Sequence, residues 1–106
     1  MVPYKLKNAA AHKIAVTGTA TLLESLIDTA ASQTHSFPDN LNQAVITNEG
    51  PDDIRFTLDG HDPTSSNGEI IYVGEKKTID GSVKNIRLIR TGSTNVNCSV
   101  EVGWQE

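Results

Sequence analysis

Hydrophobic positions along this chain change their period near the N-terminus and then hold the new one to the end. Residues 12–17, His-Lys-Ile-Ala-Val-Thr, read as a short strand that closes at Gly18. Leu22, Leu23, Leu26, Ile27, Ala30 and Ala31 then fall on one face at helical spacing. Thr21 with Glu24 three residues later fits a capping box, in which each side chain satisfies the other's free backbone N–H. The pattern predicts a helix over about 22–32. Residues 33–42 are polar and interrupted by Pro38, so they read as loop.

From residue 43 every signal is β. Ala44-Val45-Ile46-Thr47 is an apolar, β-branched run stopped by Asn48-Glu49-Gly50-Pro51. Ile54-Arg55-Phe56-Thr57-Leu58 alternates strictly and ends at Asp59-Gly60, a turn dipeptide because Gly adopts positive φ without cost. Residues 59–69 form a Gly, Asp, Pro and Ser-rich loop. Ile70-Ile71-Tyr72-Val73 and Lys76-Lys77-Thr78-Ile79 predict two more strands around Gly74-Glu75. Residues 85–90 and 96–102 complete the set, joined by the turn 91–95. In the last strand Val96, Cys98, Val100, Val102 and Trp104 share one face. Short strands parted by Gly and Asp turns predict a mainly β, antiparallel, jelly-roll-like β-sandwich with one short N-terminal helix. The expected layout is an extended N-terminal arm over 1–11 and a single domain over 12–106.

Composition narrows the functional classes. The 106 residues suit one domain and can bury a core without covalent staples. Nine Lys+Arg against thirteen Asp+Glu give a formal net charge of -4, which argues against non-specific nucleic-acid binding. Cys98 is the single cysteine, so an intrachain disulfide framework is excluded. No apolar run approaches the roughly 20 residues that span a bilayer, and the N-terminus lacks a signal-peptide pattern, so a reducing cytoplasm is the expected setting.

Catalytic patterns are missing from the sequence. Cys98 lies mid-strand among valines, where it reads as a small buried hydrophobe rather than a nucleophile. His12, His35 and His61 share no ligand-like spacing. Asp59-Gly60-His61-Asp62 lacks the spaced oxygens of a calcium loop and reads as a turn. No Gly-x-Ser-x-Gly elbow or phosphate-binding Gly loop occurs. The expectation is a protein that is not an enzyme, with no cofactor and no metal. Candidate protein-interface residues are Tyr4 in the arm, Arg55, Arg87 and Arg90 on or ending strands, and Trp104 near the C-terminus. For the arginines the alternative is a solvated face, and for Trp104 an edge of the core.

The order of motifs resembles that in small virion proteins of tailed bacteriophages. The resemblance rests on Ile54-Arg55-Phe56-Thr57-Leu58-Asp59-Gly60-His61-Asp62-Pro63-Thr64, then Gly68 and an apolar strand. Ile86-Arg87-Leu88-Ile89-Arg90-Thr91-Gly92 and the terminal alternating strand follow, and Val16-Thr17-Gly18-Thr19-Ala20 precedes. It covers about residues 14–104 and implies a non-catalytic structural component of the virion, assembled in the host cytoplasm. A capsid decoration or cement protein that stabilises the head is the first expectation, with the major capsid protein or other virion proteins as partners. A homo-oligomer is implied, a trimer favoured, with neither nucleic acid nor membrane as partner. In this reading Asp59, Gly60 and Pro63 shape a turn, while Gly68 and Gly92 release the chain at strand ends. The alternatives are a neck, tail or baseplate adaptor, and a carbohydrate-binding β-sandwich module. A metal-dependent hydrolase on a similar scaffold would need clustered ligands that the spaced histidines do not supply.

Overall fold

Period-two alternation is realised as strands, and the period-3.6 segment as one helix, in a computed structural model that describes residues 6–31, 42–81 and 83–105. In chain order the elements are β1 (Leu6–Val16), β2 (Thr21–Leu22), α1 (Leu23–Ala31), β3 (Gln43–Asn48) and β4 (Ile54–Thr57). There follow β5 (Glu69–Ile71), β6 (Lys76–Asp80), a single 3-10 turn (Val83–Asn85), β7 (Arg87–Arg90) and β8 (Val96–Gln105). They form two antiparallel sheets of four strands, ordered β1-β8-β3-β6 and β2-β7-β4-β5.

The mainly β expectation and the single short helix hold, and the boundaries teach more than the class. β1 begins at Leu6, so the backbone of 6–11, expected in an extended arm, runs alongside β8 from Leu6↔Gln105 onward. Asn8-Ala9-Ala10-Ala11 has neither alternation nor β-branching; the partner strand supplies the order that local propensity withholds. The register shifts between Lys7 and Ala10. β5 stops at Ile71, so Tyr72 and Val73, expected in that strand, stand in a turn and are exposed. The helix starts at Leu23, whose N–H bonds Ile86 O at 2.9 Å across the molecule. Thr21 Oγ1 donates to Thr19 O at 2.7 Å.

The pairings nest. β1 pairs β8, β2 pairs β7, β3 pairs β6 and β4 pairs β5, so the chain doubles back on itself around the β4–β5 connection. Cross-pairs β3–β8 and β4–β7 then close each sheet. Inward residues of both sheets share one core: Ile14, Val16, Ala44, Ile46, Cys98 and Val100 from one, Ile54, Phe56, Ile71 and Leu88 from the other. Leu23, Leu26 and Ile27 of α1 join it with Val83 and Ile86. Each fully buried Leu, Ile or Phe side chain contributes about 1.5–3 kcal/mol of transfer free energy, so the helix is held by packing rather than by its nine-residue length.

Candidate functional site

Two regions carry the sequence-predicted residues, and each is built differently. The first is the connection between β4 and β5. Its Asp59-Gly60 turn has Gly60 at φ +87°, and Thr64 and Asn67 bond each other's backbone at 2.9 and 3.3 Å. Pro63 is buried within it. Gly68 sits at φ +120°, and a Cβ there would lie 3.0 Å from Phe56 O and 3.2 Å from Pro63 Cβ. The glycine is needed on both counts, conformation and space.

Two arginines hold this loop to its sheet. Arg55 donates from Nε to Ser65 O at 3.2 Å and from a terminal nitrogen to Gly68 O at 2.8 Å. Arg87 donates from Nε to Gly60 O at 2.8 Å and lies 3.4 Å from Asp62 Oδ1. The strands place them side by side: Arg87 is opposite Thr57 and Arg55 opposite Ile89, on the face turned away from Phe56 and Leu88. The rigid fork of a guanidinium suits a loop that offers several carbonyls from one side. Both arginines are half-buried and engaged within their own chain, a role between the interface and solvated-face readings.

An open groove of about 420 Å³ borders the same loop, lined by Thr57, Leu58, Asp59, His61, Asn67 and Glu69, among others. Asp59 Oδ1 meets both the backbone N–H and Nδ1 of His61. The backbone N–H is the main cause that holds the Asp59 carboxyl below its ordinary range, and the His61 side chain adds to it. Leu58 is exposed beside them. Among the described residues no three His, Cys, Asp or Glu side chains converge as metal ligands would.

The second region is the opposite end, where the short connections 17–20, 49–53, 72–75 and 91–95 meet. Asn48, fully buried at the end of β3, organises it. Its Nδ2 donates to Asp52 O at 2.9 Å and to Ile71 O at 3.0 Å, and its Oδ1 accepts from Gly50 N–H at 2.8 Å. One side chain thus ties the sheet of β3 to the sheet of β5. Asp53 extends the network: Oδ1 accepts from Val73 N–H at 2.9 Å, and its carbonyl accepts from Thr91 Oγ1 at 2.8 Å. The Gly50-Pro51 peptide bond is cis. Gly92 lies against the Asp52 carboxylate, which would have to swing aside for a Cβ there. Arg90 N–H bonds Thr17 O at 2.9 Å, and its guanidinium lies over Gly18 and donates to Asn95 Oδ1, leaving Nε buried without a partner.

Of the remaining sequence-predicted residues, Tyr4 and His35 lie outside the described residues. Trp104 takes part in β8 through its backbone, opposite Lys7. Cys98 faces the core from β8; burial first and the Glu49 charge second push its thiol up to about 12, so it is protonated at neutral pH. In the sequence Asn48 reads only as the stop of a strand, and the paired carboxylates Asp52 and Asp53 read as solvated turn residues. An Asn directly after a four-residue apolar run was the available signal, since such a run leads the chain out of a core.

The outward face of the β1-β8-β3-β6 sheet is a third surface. It carries Lys13, Ser99, Thr47 and Lys76 in one row and Glu101, Val45 and Thr78 in the next. Two shallow grooves of about 310 and 340 Å³ meet at Val45. Lys13 Nζ donates to Glu49 at 2.9 Å, and this bond, with a further one from Ser99, holds the Glu49 carboxyl below its ordinary range. No helix of the described residues is long and apolar enough to cross a membrane. No protein-family model, curated protein or solved structure matches this chain.

Proposed function

We propose that this chain is a non-enzymatic structural protein of a tailed-bacteriophage virion, acting first as a capsid decoration or cement protein. The observation that carries the reading is the strand order β1-β8-β3-β6 facing β2-β7-β4-β5. Nested pairs 1–8, 2–7, 3–6 and 4–5 support a jelly-roll-like sandwich, an architecture recurrent in viral shells and lectins. The motif order in residues 54–64 and 86–92 supports the virion member of that pair. A cement protein needs broad, rigid contact surface, and two features supply it. One is the outward face of the β1-β8-β3-β6 sheet around Lys13, Thr47 and Ser99; the other is the end locked by Asn48.

The test is addition of the purified chain to undecorated capsids, followed by co-sedimentation and a thermal ramp. Saturable binding with a raised rupture temperature is the expected result. Absence of both overturns the cement role. Binding to isolated necks, tails or baseplates instead assigns the chain to an adaptor position.

One observation favours a second reading, a carbohydrate-binding module. The 420 Å³ groove beside Asp59, His61, Asn67 and Glu69 sets polar side chains next to exposed Leu58, the mixed lining that small-ligand sites use. A glycan array with a hit abolished by H61A would raise it above the virion reading.

A further inference from the structure

Exposed apolar surface is placed unevenly on this molecule. Among the described residues three large hydrophobic side chains are exposed, and two of them are consecutive: Tyr72, 57% exposed, and Val73, 49% exposed. They stand in the turn between β5 and β6, at the end that Asn48 organises, where Asn, Asp or Ser would serve the backbone equally well. Glu75 N–H donates to Tyr72 O at 2.9 Å, and Gly74 has φ +84°, as the third position of a type II turn requires. Pro51, in the neighbouring connection, is exposed as well. The two connections touch, since a Cβ on Gly50 would stand 3.3 Å from Val73 Cγ1. All four connections that meet here, 17–20, 49–53, 72–75 and 91–95, are among the described residues.

The turn is set before anything binds. Each of its four backbone N–H groups has an acceptor within the chain. Tyr72 donates to Glu75 Oε1 at 3.0 Å and Val73 to Asp53 Oδ1 at 2.9 Å. Gly74 donates to Asn48 O at 2.7 Å, and Glu75 to Tyr72 O. Tyr72 and Val73 are thus presented at little further cost in chain entropy, the condition under which a small contact binds well. The same bonds set the Asp53 and Glu75 carboxylates beside the two apolar residues. The four connections hold Glu49, Asp52, Asp53 and Glu75 and no Lys, Arg or His. Lys13 pairs with Glu49, whereas Asp52, Asp53 and Glu75 make no ion pair among the described residues. Accepting a backbone N–H leaves a carboxylate its charge.

That charge selects the partner. A second copy would set carboxylates against carboxylates, and nucleic acid or an anionic membrane surface would be repelled. A protein surface with Lys or Arg around an apolar hollow matches both features: the hollow takes Tyr72 and Val73, and a cation's stem lies along the Tyr72 ring while its head meets the carboxylate charges. We propose that the Tyr72–Val73 turn is the docking knuckle of this protein, received by an apolar hollow rimmed with Lys or Arg on a partner protein. The inference rests on the virion reading, in which that partner is the capsid. It places the contact at this end rather than on the outward face of the β1-β8-β3-β6 sheet.

Titration of undecorated capsids with the full chain, as wild type, Y72S, V73S and T78R, tests it. Y72S and V73S remove exposed side chains and keep the backbone bonds, so each is expected to melt within about 4 °C of the wild type. Each is expected to weaken capsid binding about 10-fold or more. T78R sets a bulky side chain on the outward sheet face and is expected to bind as the wild type does. Wild-type affinity is expected to fall as salt rises, and affinity that rises with salt overturns the basic rim. Capsids that bind wild type, Y72S and V73S equally overturn the docking assignment and leave the cement reading standing. Binding lost in T78R and kept in Y72S moves the contact to the sheet face and overturns it too. Capsids that bind no wild-type chain overturn the cement reading, and the docking assignment falls with it.

Discussion

The end organised by Asn48 and the loop carried by Arg55 and Arg87 solve the same problem in opposite ways. Both must satisfy the polar backbone of a connection between strands. At the short-loop end the satisfying group is inside: a neutral amide, fully buried, reaching a carbonyl in the other sheet. At the β4–β5 loop the satisfying groups are outside, two half-buried cations that draw loop carbonyls onto the sheet surface. The difference teaches where each region's stability resides. An interior amide couples two sheets, so its loss is felt globally. An exterior guanidinium holds only what it touches, so its loss is felt locally.

N48L breaks the comparison at its strongest point. It leaves Ile71 O, Asp52 O and Gly50 N–H without their partner, at a cost of about 3 kcal/mol. Thermal unfolding should fall by roughly 12–24 °C for a domain of this size. G68A tests the other region through its backbone. Positive φ and the 3.0 Å approach to Phe56 O predict a loss of about 2 kcal/mol, read as a lowered urea midpoint. R87M keeps much of the aliphatic stem and removes the bond to Gly60 O, costing about 1 kcal/mol. Hydrogen exchange should accelerate over residues 58–68 and leave the β3 amides protected. A uniform acceleration would erase the distinction between the two regions.

The smallest effect belongs to the Lys13–Glu49 pair on the sheet surface. The Glu49 carboxyl is held below its ordinary 4.5, so its contribution is present above that value and is lost as pH falls through the lowered folded value. E49Q should therefore flatten the acid limb of the stability profile slightly and change nothing at pH 7 beyond the noise of an exposed ion pair. High salt should abolish even that difference.

Legibility in the sequence follows the range of the interaction. β8 and β4 were readable because each residue's neighbour two positions away faces the same side, and Val96, Cys98, Val100, Ile54 and Phe56 obey that rule alone. β2 and the first half of β1 were not, since their order comes from β7 and β8, more than 60 residues away in sequence. Of the turn residues, Gly60 was plain from Asp-Gly chemistry, whereas Gly68 is required by the backbone oxygen of Phe56, 12 residues earlier. Arg55 and Arg87 read in sequence as a solvated face or an interface, because their partners are loop carbonyls, which leave no mark in sequence. Asn48 was hidden because Asn is equally at home in a solvent-exposed turn.

The nested pairing also dictates a folding order. β8 is the central partner of both β1 and β3, yet it is the last of these eight strands in chain order. Until it arrives, β1 has no hydrogen-bonded neighbour and the interior has no floor beneath Ile14 and Ile46. The seven earlier strands therefore wait, exposed, for the ten residues of β8. Closure is then a single late event spanning almost the whole chain, with the slow kinetics that long loops impose on β proteins.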